Sequence, residues 1–141
     1  MPIQSVWMLR LSLIWLLIAS VLGSLLFIHK TIPLHPSIWS LLPLHYEIAI
    51  WGWIVQFVLG TAYWIFPRFL EGEPRGSFFW ANSIGWIFNF GLIILLISYL
   101  YFGILYLPLI GRGLILLSLL IFVFLIWNRV VSYRNNDSKH K

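Results

Sequence analysis

The sequence contains no cysteine and very little charge. Without cysteine, it has no disulfide, no thiolate metal ligand and no cysteine nucleophile. Only 9% of its 141 residues are charged and only four are acidic, whereas a soluble domain is typically about one quarter charged. Four carboxylates cannot solvate the surface of a 16.5 kDa globule. The composition therefore excludes a water-soluble enzyme, a disordered tail and a conventional nucleic-acid-binding protein.

Apolar residues are abundant instead and make up 61% of the sequence. Charges leave long uncharged stretches between them, and each stretch approaches the ~20 apolar residues that cross a ~30 Å hydrocarbon core. These stretches predict transmembrane helices at about residues 6–29, 44–68, 78–101 and 109–131. The first exceeds the apolar core of a signal peptide, which predicts an uncleaved span. The predicted fold class is all-α, an integral membrane four-helix bundle over residues 1–131 with a polar tail at 132–141.

The positive charges predict the orientation of this bundle. With four spans, both termini and the loop between helices 2 and 3 lie on one side, and seven of the nine Lys and Arg residues fall there. The positive-inside rule therefore predicts both termini in the cytoplasm. The net charge of +5 follows from this orientation, so the expected surrounding partner is the lipid bilayer and no nucleic acid is expected.

Helix 2 carries the residues best suited to chemistry. From His45, polar and small residues recur at steps of three and four, which places them on one helical face: Ala49, Gly52, Gln56, Gly60, Tyr63 and Pro67. One interpretation is helix packing, in which small residues allow close approach and His or Gln bonds a neighbouring helix. The other is a cofactor pocket, because glycines flanking Gln56 would leave a groove for a flat ligand. An imidazole facing a bundle interior is also a common axial ligand of haem iron.

Two further histidines, His29 and His35, are predicted on the same side of the membrane as His45. Three histidines together would suit copper or zinc, but their spacings of six and ten residues match no compact metal motif. Glu47, beside the second span, is expected to pair with Lys30 or Arg112 or to hydrogen-bond a nearby imidazole.

The segment 44–67 resembles the second transmembrane helix of the catalytic subunit of haem–copper oxidases and their nitric oxide reductase relatives. In that family, a His near the outer end of helix 2 ligates the low-spin haem, and a Gly follows about four turns later. An aromatic-Ile-x-Pro-like sequence ends the helix. His45, Gly60 and Pro67 match in type, order and approximate spacing, and Gly23 in helix 1 is compatible.

The family's catalytic subunit has three pseudo-symmetric sets of four helices, with ligand histidines on the second helix of each set. This chain resembles one set of four helices, which implies a homo-oligomer. The analogy favours a trimer. A dimer in which two copies of His45 bind one haem is also compatible with the resemblance. The resemblance further implies haem b ligated by His45. Gly52, Gln56 and Gly60 would line the pocket, and Arg112, in the turn between helices 3 and 4, would bind the haem propionates.

The family's copper centre needs two adjacent histidines on another helix, and helix 3 has none. The leading prediction is therefore a haem b protein of a prokaryotic cytoplasmic membrane, related to haem–copper oxidases and without their copper–haem binuclear site. It would act in one-electron transfer or in redox chemistry of O₂ or NO, and a respiratory protein would be its electron donor. Both an oxidoreductase and a pure electron carrier are compatible with the sequence. The alternative is a cofactor-free accessory or assembly subunit of a respiratory membrane complex. A copper-handling protein is the third hypothesis.

Overall fold

The computed structural model describes residues 1–67, 76–100, 106–127 and 129–130, and these residues form helices and no strand. Four helices have the length and apolar character to cross a membrane: α1 (Ile3–Thr31), α2 (Pro36–Ile65), α3 (Phe78–Leu100) and α4 (Leu107–Trp127). For the described residues, the prediction of an all-α fold with four helices long and apolar enough to span a membrane is confirmed. The predicted tail at 132–141 and the basic positions 68 and 75 lie outside the described residues.

The second helix, α2, changes its hydrogen-bonding pattern along its length. It begins as a 3₁₀ turn (Pro36–Leu41), continues as α-helix (Leu42–Glu47), becomes π-helical (Ile48–Val55) and ends as α-helix (Gln56–Ile65). The helix ends where Phe66 adopts ψ 146°, because the following proline disfavours helical geometry in the residue before it. The sequence predicted an uninterrupted helix over 44–68, so the 3₁₀ start and the π segment were not anticipated.

Two glycines of α2 allow it to lie directly against α1. A Cβ built on Gly52 would lie 2.9 Å from Cβ and Cγ of Trp15, and one built on Gly60 would lie 3.1 Å from Cβ of Met8. The α1 side chains therefore occupy the space that the missing α2 side chains leave. The helices run antiparallel, so the contact continues from one end of the pair to the other.

The helices α3 and α4 approach each other even more closely. A Cβ on Gly91 would lie 2.8 Å from the carbonyl oxygen of Gly111, and a Cβ on Gly111 would lie 2.9 Å from that of Gly91. Backbone meets backbone at this crossing, which is the role that small residues play at membrane helix interfaces. The bundle therefore contains two tight pairs, α1–α2 and α3–α4.

Arg129, just beyond α4, caps the far end of α2. Its side chain is 1% exposed, and it donates hydrogen bonds to the carbonyl oxygens of Pro67 (2.9 Å), Phe66 (2.8 Å) and Tyr63 (3.1 Å). The guanidinium also lies 5.3 Å from the centre of the Tyr63 ring. A cation suits a helix C-terminus, where carbonyl groups lack intrahelical partners. Arg129 therefore connects the two helix pairs at this end of the bundle.

Candidate functional site

His45 lies in the short α-helical part of α2, immediately before the π segment. Its Nδ1 is 3.0 Å from the carbonyl oxygen of Ala19 on α1. A carbonyl oxygen only accepts, so this contact assigns the imidazole proton to Nδ1 and leaves the lone pair on Nε2. The ring is half-buried, and no described residue hydrogen-bonds Nε2. The Ala19 carbonyl therefore orients the imidazole through Nδ1, and Nε2 has no hydrogen-bond partner among the described residues.

The imidazole rests on the surface of α1 at Gly23. A Cβ on Gly23 would lie 2.9 Å from Cε1 of His45, so any larger residue would displace the ring. Ala19 and Gly23 are four residues apart and share one face of α1. The sequence analysis gave Gly23 as compatible with the family and did not place Ala19 or Gly23 beside His45. The available signal was this pair of small residues on the helix preceding the histidine.

Glu47, two residues after His45 on α2, forms an ion pair with Arg112 on α4. Arg112 donates from Nε (2.8 Å) and from Nη2 to Oε1 of Glu47, and from Nη2 to the Tyr99 hydroxyl (3.2 Å). The expected pairing of Glu47 with Arg112 is thus observed. The predicted position of Arg112 in a turn is wrong, since it lies within α4. The described residues leave its Nη1 without a hydrogen-bond acceptor, and the side chain is half exposed.

Three predicted pocket residues, Gly52, Gln56 and Gly60, are all buried at the α1–α2 contact. Gln56 is fully buried, and neither atom of its carboxamide has a hydrogen-bond partner within the described part of the chain. Trp15 and Met8 fill the space beside the glycines, so the predicted stripe exists but leaves no groove within this four-helix unit. The role of these three residues as the lining of a cofactor pocket stays a prediction.

His29, near the end of α1, and His35, in the loop after it, form hydrogen bonds with the local backbone. His29 is buried, accepts a hydrogen bond from the Leu34 amide at Nδ1 (3.0 Å) and packs edge-on against Trp39 with ring centres 5.7 Å apart. His35 accepts from the Ser37 amide (3.3 Å) and so caps the 3₁₀ turn. Across the ranges that the structure describes, no three His, Asp or Glu side chains lie together as a metal site.

A cavity of about 510 Å³ lies elsewhere, between α1 and α3. Trp7 and Trp15 line it from α1, and Trp86 and Phe90 line it from α3. His45 and the other predicted site residues do not line it. The sequence did not predict a space there, because the pattern of residues within one helix does not show how far that helix lies from its neighbour.

The family model described as "Cytochrome C and Quinol oxidase polypeptide I" matches residues 4–141. The searches of curated proteins and of solved structures each found no match. The family match covers the four helices and confirms the resemblance that the second helix indicated. The chain belongs to the cytochrome c and quinol oxidase polypeptide I family, that is, to the haem–copper oxidase subunit I proteins.

Proposed function

We propose that this multi-pass membrane protein binds haem b through Nε2 of His45 and acts in one-electron transfer. The observation that carries the proposal is the hydrogen bond between Nδ1 of His45 and the Ala19 carbonyl. That bond fixes the tautomer in which Nε2 can donate its lone pair to iron, and such outer hydrogen bonds typically orient metal-ligating histidines. Membership of a haem-binding family supports haem as the bound group. A bound haem would supply a reversible one-electron couple, tuned by its ligand and its burial.

The proposed haem protein is a homo-oligomer. His45 is half-buried at the edge of its own unit, and α1 fills the stripe of α2 that a flat cofactor would otherwise enter. A single unit therefore offers protein to only one side of a group held at Nε2, and a second copy is needed to exclude lipid and water from the other side. In a dimer, His45 of the second copy would supply the sixth ligand. In a trimer, analogous to the family's threefold arrangement, that position would be open to O₂ or NO.

Arg112 is proposed to bind a haem propionate. Glu47 and Tyr99 hold its Nε and Nη2, so the guanidinium is oriented while Nη1 remains available. An arginine donates to a carboxylate with charge-assisted bonds, which are stronger than neutral ones. Glu47 thus acts as a positioning residue for Arg112.

The proposed setting is the cytoplasmic membrane of a prokaryote, with both termini in the cytoplasm and a respiratory protein as electron donor. Seven of the nine Lys and Arg residues support that orientation. His45 then lies in the outer half of the membrane. The sequence has only four histidines, and two of them bind the local backbone, which favours electron transfer or gas binding over the chemistry of a copper–haem centre.

The test is an absorption spectrum of the full chain, purified in mild detergent after expression with ample haem. We expect a Soret band that shifts on reduction and an extract that identifies haem b. His45→Ala should abolish the band, whereas His35→Ala, which changes an exposed histidine of the α1–α2 loop, should preserve it. A colourless wild-type protein, or an unchanged spectrum in His45→Ala, would overturn the proposal.

One observation favours the second candidate, a cofactor-free accessory subunit of a respiratory complex. The α1–α2 contact is filled without any ligand, as a purely structural helix pair would be. This candidate predicts a colourless protein that co-purifies with a larger membrane complex. Blue native electrophoresis of solubilised membranes, read alongside the spectrum, distinguishes it from a haem-containing homo-oligomer.

A further inference from the structure

The cleft between α1 and α3 has no part in the proposed function. Its volume of about 510 Å³ falls within the ~300–1,000 Å³ that is usual for small-molecule sites. Its lining extends along α1 from Gln4 to Ile18, which is about 21 Å at ~1.5 Å per residue. One leaflet contributes about 15 Å to a ~30 Å hydrocarbon core. The cleft therefore has the length of one leaflet and its interface.

Polar groups in the cleft are satisfied deep inside and unsatisfied at one end. Deep inside, Trp15 donates from Nε1 to Oδ1 of Asn89 (2.9 Å), and Asn89 donates to the Gly85 carbonyl (2.8 Å). At the end nearest the start of α1 and α3, Gln4 and Asn82 line the cleft, and no described residue hydrogen-bonds either carboxamide. Gln4 is only 7% exposed, so little of its surface is accessible from outside the bundle, whereas Asn82 is exposed.

This arrangement restricts what can occupy the cleft. None of the lining residues is charged, so a head group would be recognised by neutral hydrogen bonds and not by ion pairs. One linear apolar chain matches a cleft of this volume and length, whereas a transmembrane helix ~11 Å across would lie over the cleft and fill it only with side chains.

We propose that the cleft binds one acyl chain of a membrane glycerolipid, with an ester carbonyl of the lipid accepting hydrogen bonds from Gln4 and Asn82. The chain lies along the apolar wall and ends beyond the Trp15–Asn89 pair. The carboxamides of Gln4 and Asn82 would lie at the level of the ester groups, which are the first polar groups next to the acyl chains of a glycerolipid. The site is separate from His45, so it stands whether or not haem is bound.

Native mass spectrometry of the detergent-purified full chain tests the proposal. The wild type should keep one glycerolipid under activation that strips bulk lipid. Gly85→Leu fills the cleft, since a Cβ there meets only Cγ of Met8 at 3.7 Å, and it should lower retention at least tenfold. Gly113→Leu is the matched control, because nothing lies within 4 Å of a Cβ at that position, and it should retain the lipid.

Gln4→Leu provides an independent reading if Gly85→Leu folds poorly. It keeps the apolar volume and removes the carboxamide, so retention should fall about 2- to 10-fold, as for one hydrogen bond. Circular dichroism checks the folding of every variant. Equal lipid retention in the wild type, Gly85→Leu and Gln4→Leu would overturn the proposal, and so would a wild type that retains no lipid or retains a quinone instead.

Discussion

Replacing Gly52 with alanine is expected to destabilise the bundle by forcing α1 and α2 apart. The new Cβ would lie 2.9 Å from Cβ and Cγ of Trp15, which is 0.5 Å short of the 3.4 Å at which ordinary contact begins. The two Trp15 atoms lie next to the backbone, at the start of a buried side chain, so they cannot rotate away from the new Cβ. Overpacking of this kind costs about 1–3 kcal/mol. Alanine also favours a helix by about 0.8–1.0 kcal/mol over glycine, which offsets part of that cost.

Gly113→Ala is the matched control for this prediction. It gains the same preference for helix without a clash, since its Cβ would meet nothing within 4 Å. The difference in free energy of unfolding between the two variants should therefore equal the overpacking cost, about 1–3 kcal/mol. Reversible unfolding in mixed micelles, followed by circular dichroism, measures it. Equal stability of the two variants would refute the assignment of Gly52 to a filled helix contact and would favour an open groove beside it.

Two further predictions concern the arginines at opposite ends of the bundle. Arg129→Met should lower the free energy of unfolding by about 2–5 kcal/mol, because three carbonyls of α2 lose a buried cation. Arg129→Lys should restore only part of the lost stability, since an ammonium group lacks the several fixed N–H donors of a guanidinium. Thermal melts in detergent measure the stability of both variants. An unchanged melting temperature would contradict the role of Arg129 as a cap of α2. Arg112→Ala should lower the free energy of unfolding by about 1–3 kcal/mol, because Glu47, whose side chain is only 13% exposed, loses its charged partner. The same variant should lower haem retention several-fold. Unaltered haem content in that variant would remove Arg112 from the proposed site.

The parts of the fold that depend on composition could be predicted from the sequence. Four spans follow from the uncharged runs, and the placement of Gly52, Gln56 and Gly60 on one buried face follows from their spacing. The pairing of Glu47 with Arg112 was one of three contacts that charge alone allowed. His45 was singled out because an imidazole in a membrane helix is unusual.

Other features depend on contacts between distant parts of the chain. Arg129 was counted as a charge at the membrane edge, because nothing in its neighbourhood reveals that it caps α2 from 62 residues away. The π segment is equally hidden, since a shift of backbone hydrogen bonds leaves the apolar composition unchanged. The choice between packing and pocket for the glycine stripe required knowing that Trp15 and Met8 stand opposite.

The π segment sets how α2 can tolerate changes in length. Each residue added to or removed from a helix rotates everything beyond it by about 100°. A π turn contains about one residue more than an α turn. Deleting one residue from Ile48–Val55 would therefore convert a π turn to an α turn and leave the helix continuous. Because the tighter turn absorbs the lost residue, the part of α2 after the segment would keep its contacts with α1, and His45 would still face Ala19 and Gly23. A deletion elsewhere in α2, where no wider turn can absorb it, would instead rotate His45 away from these two residues.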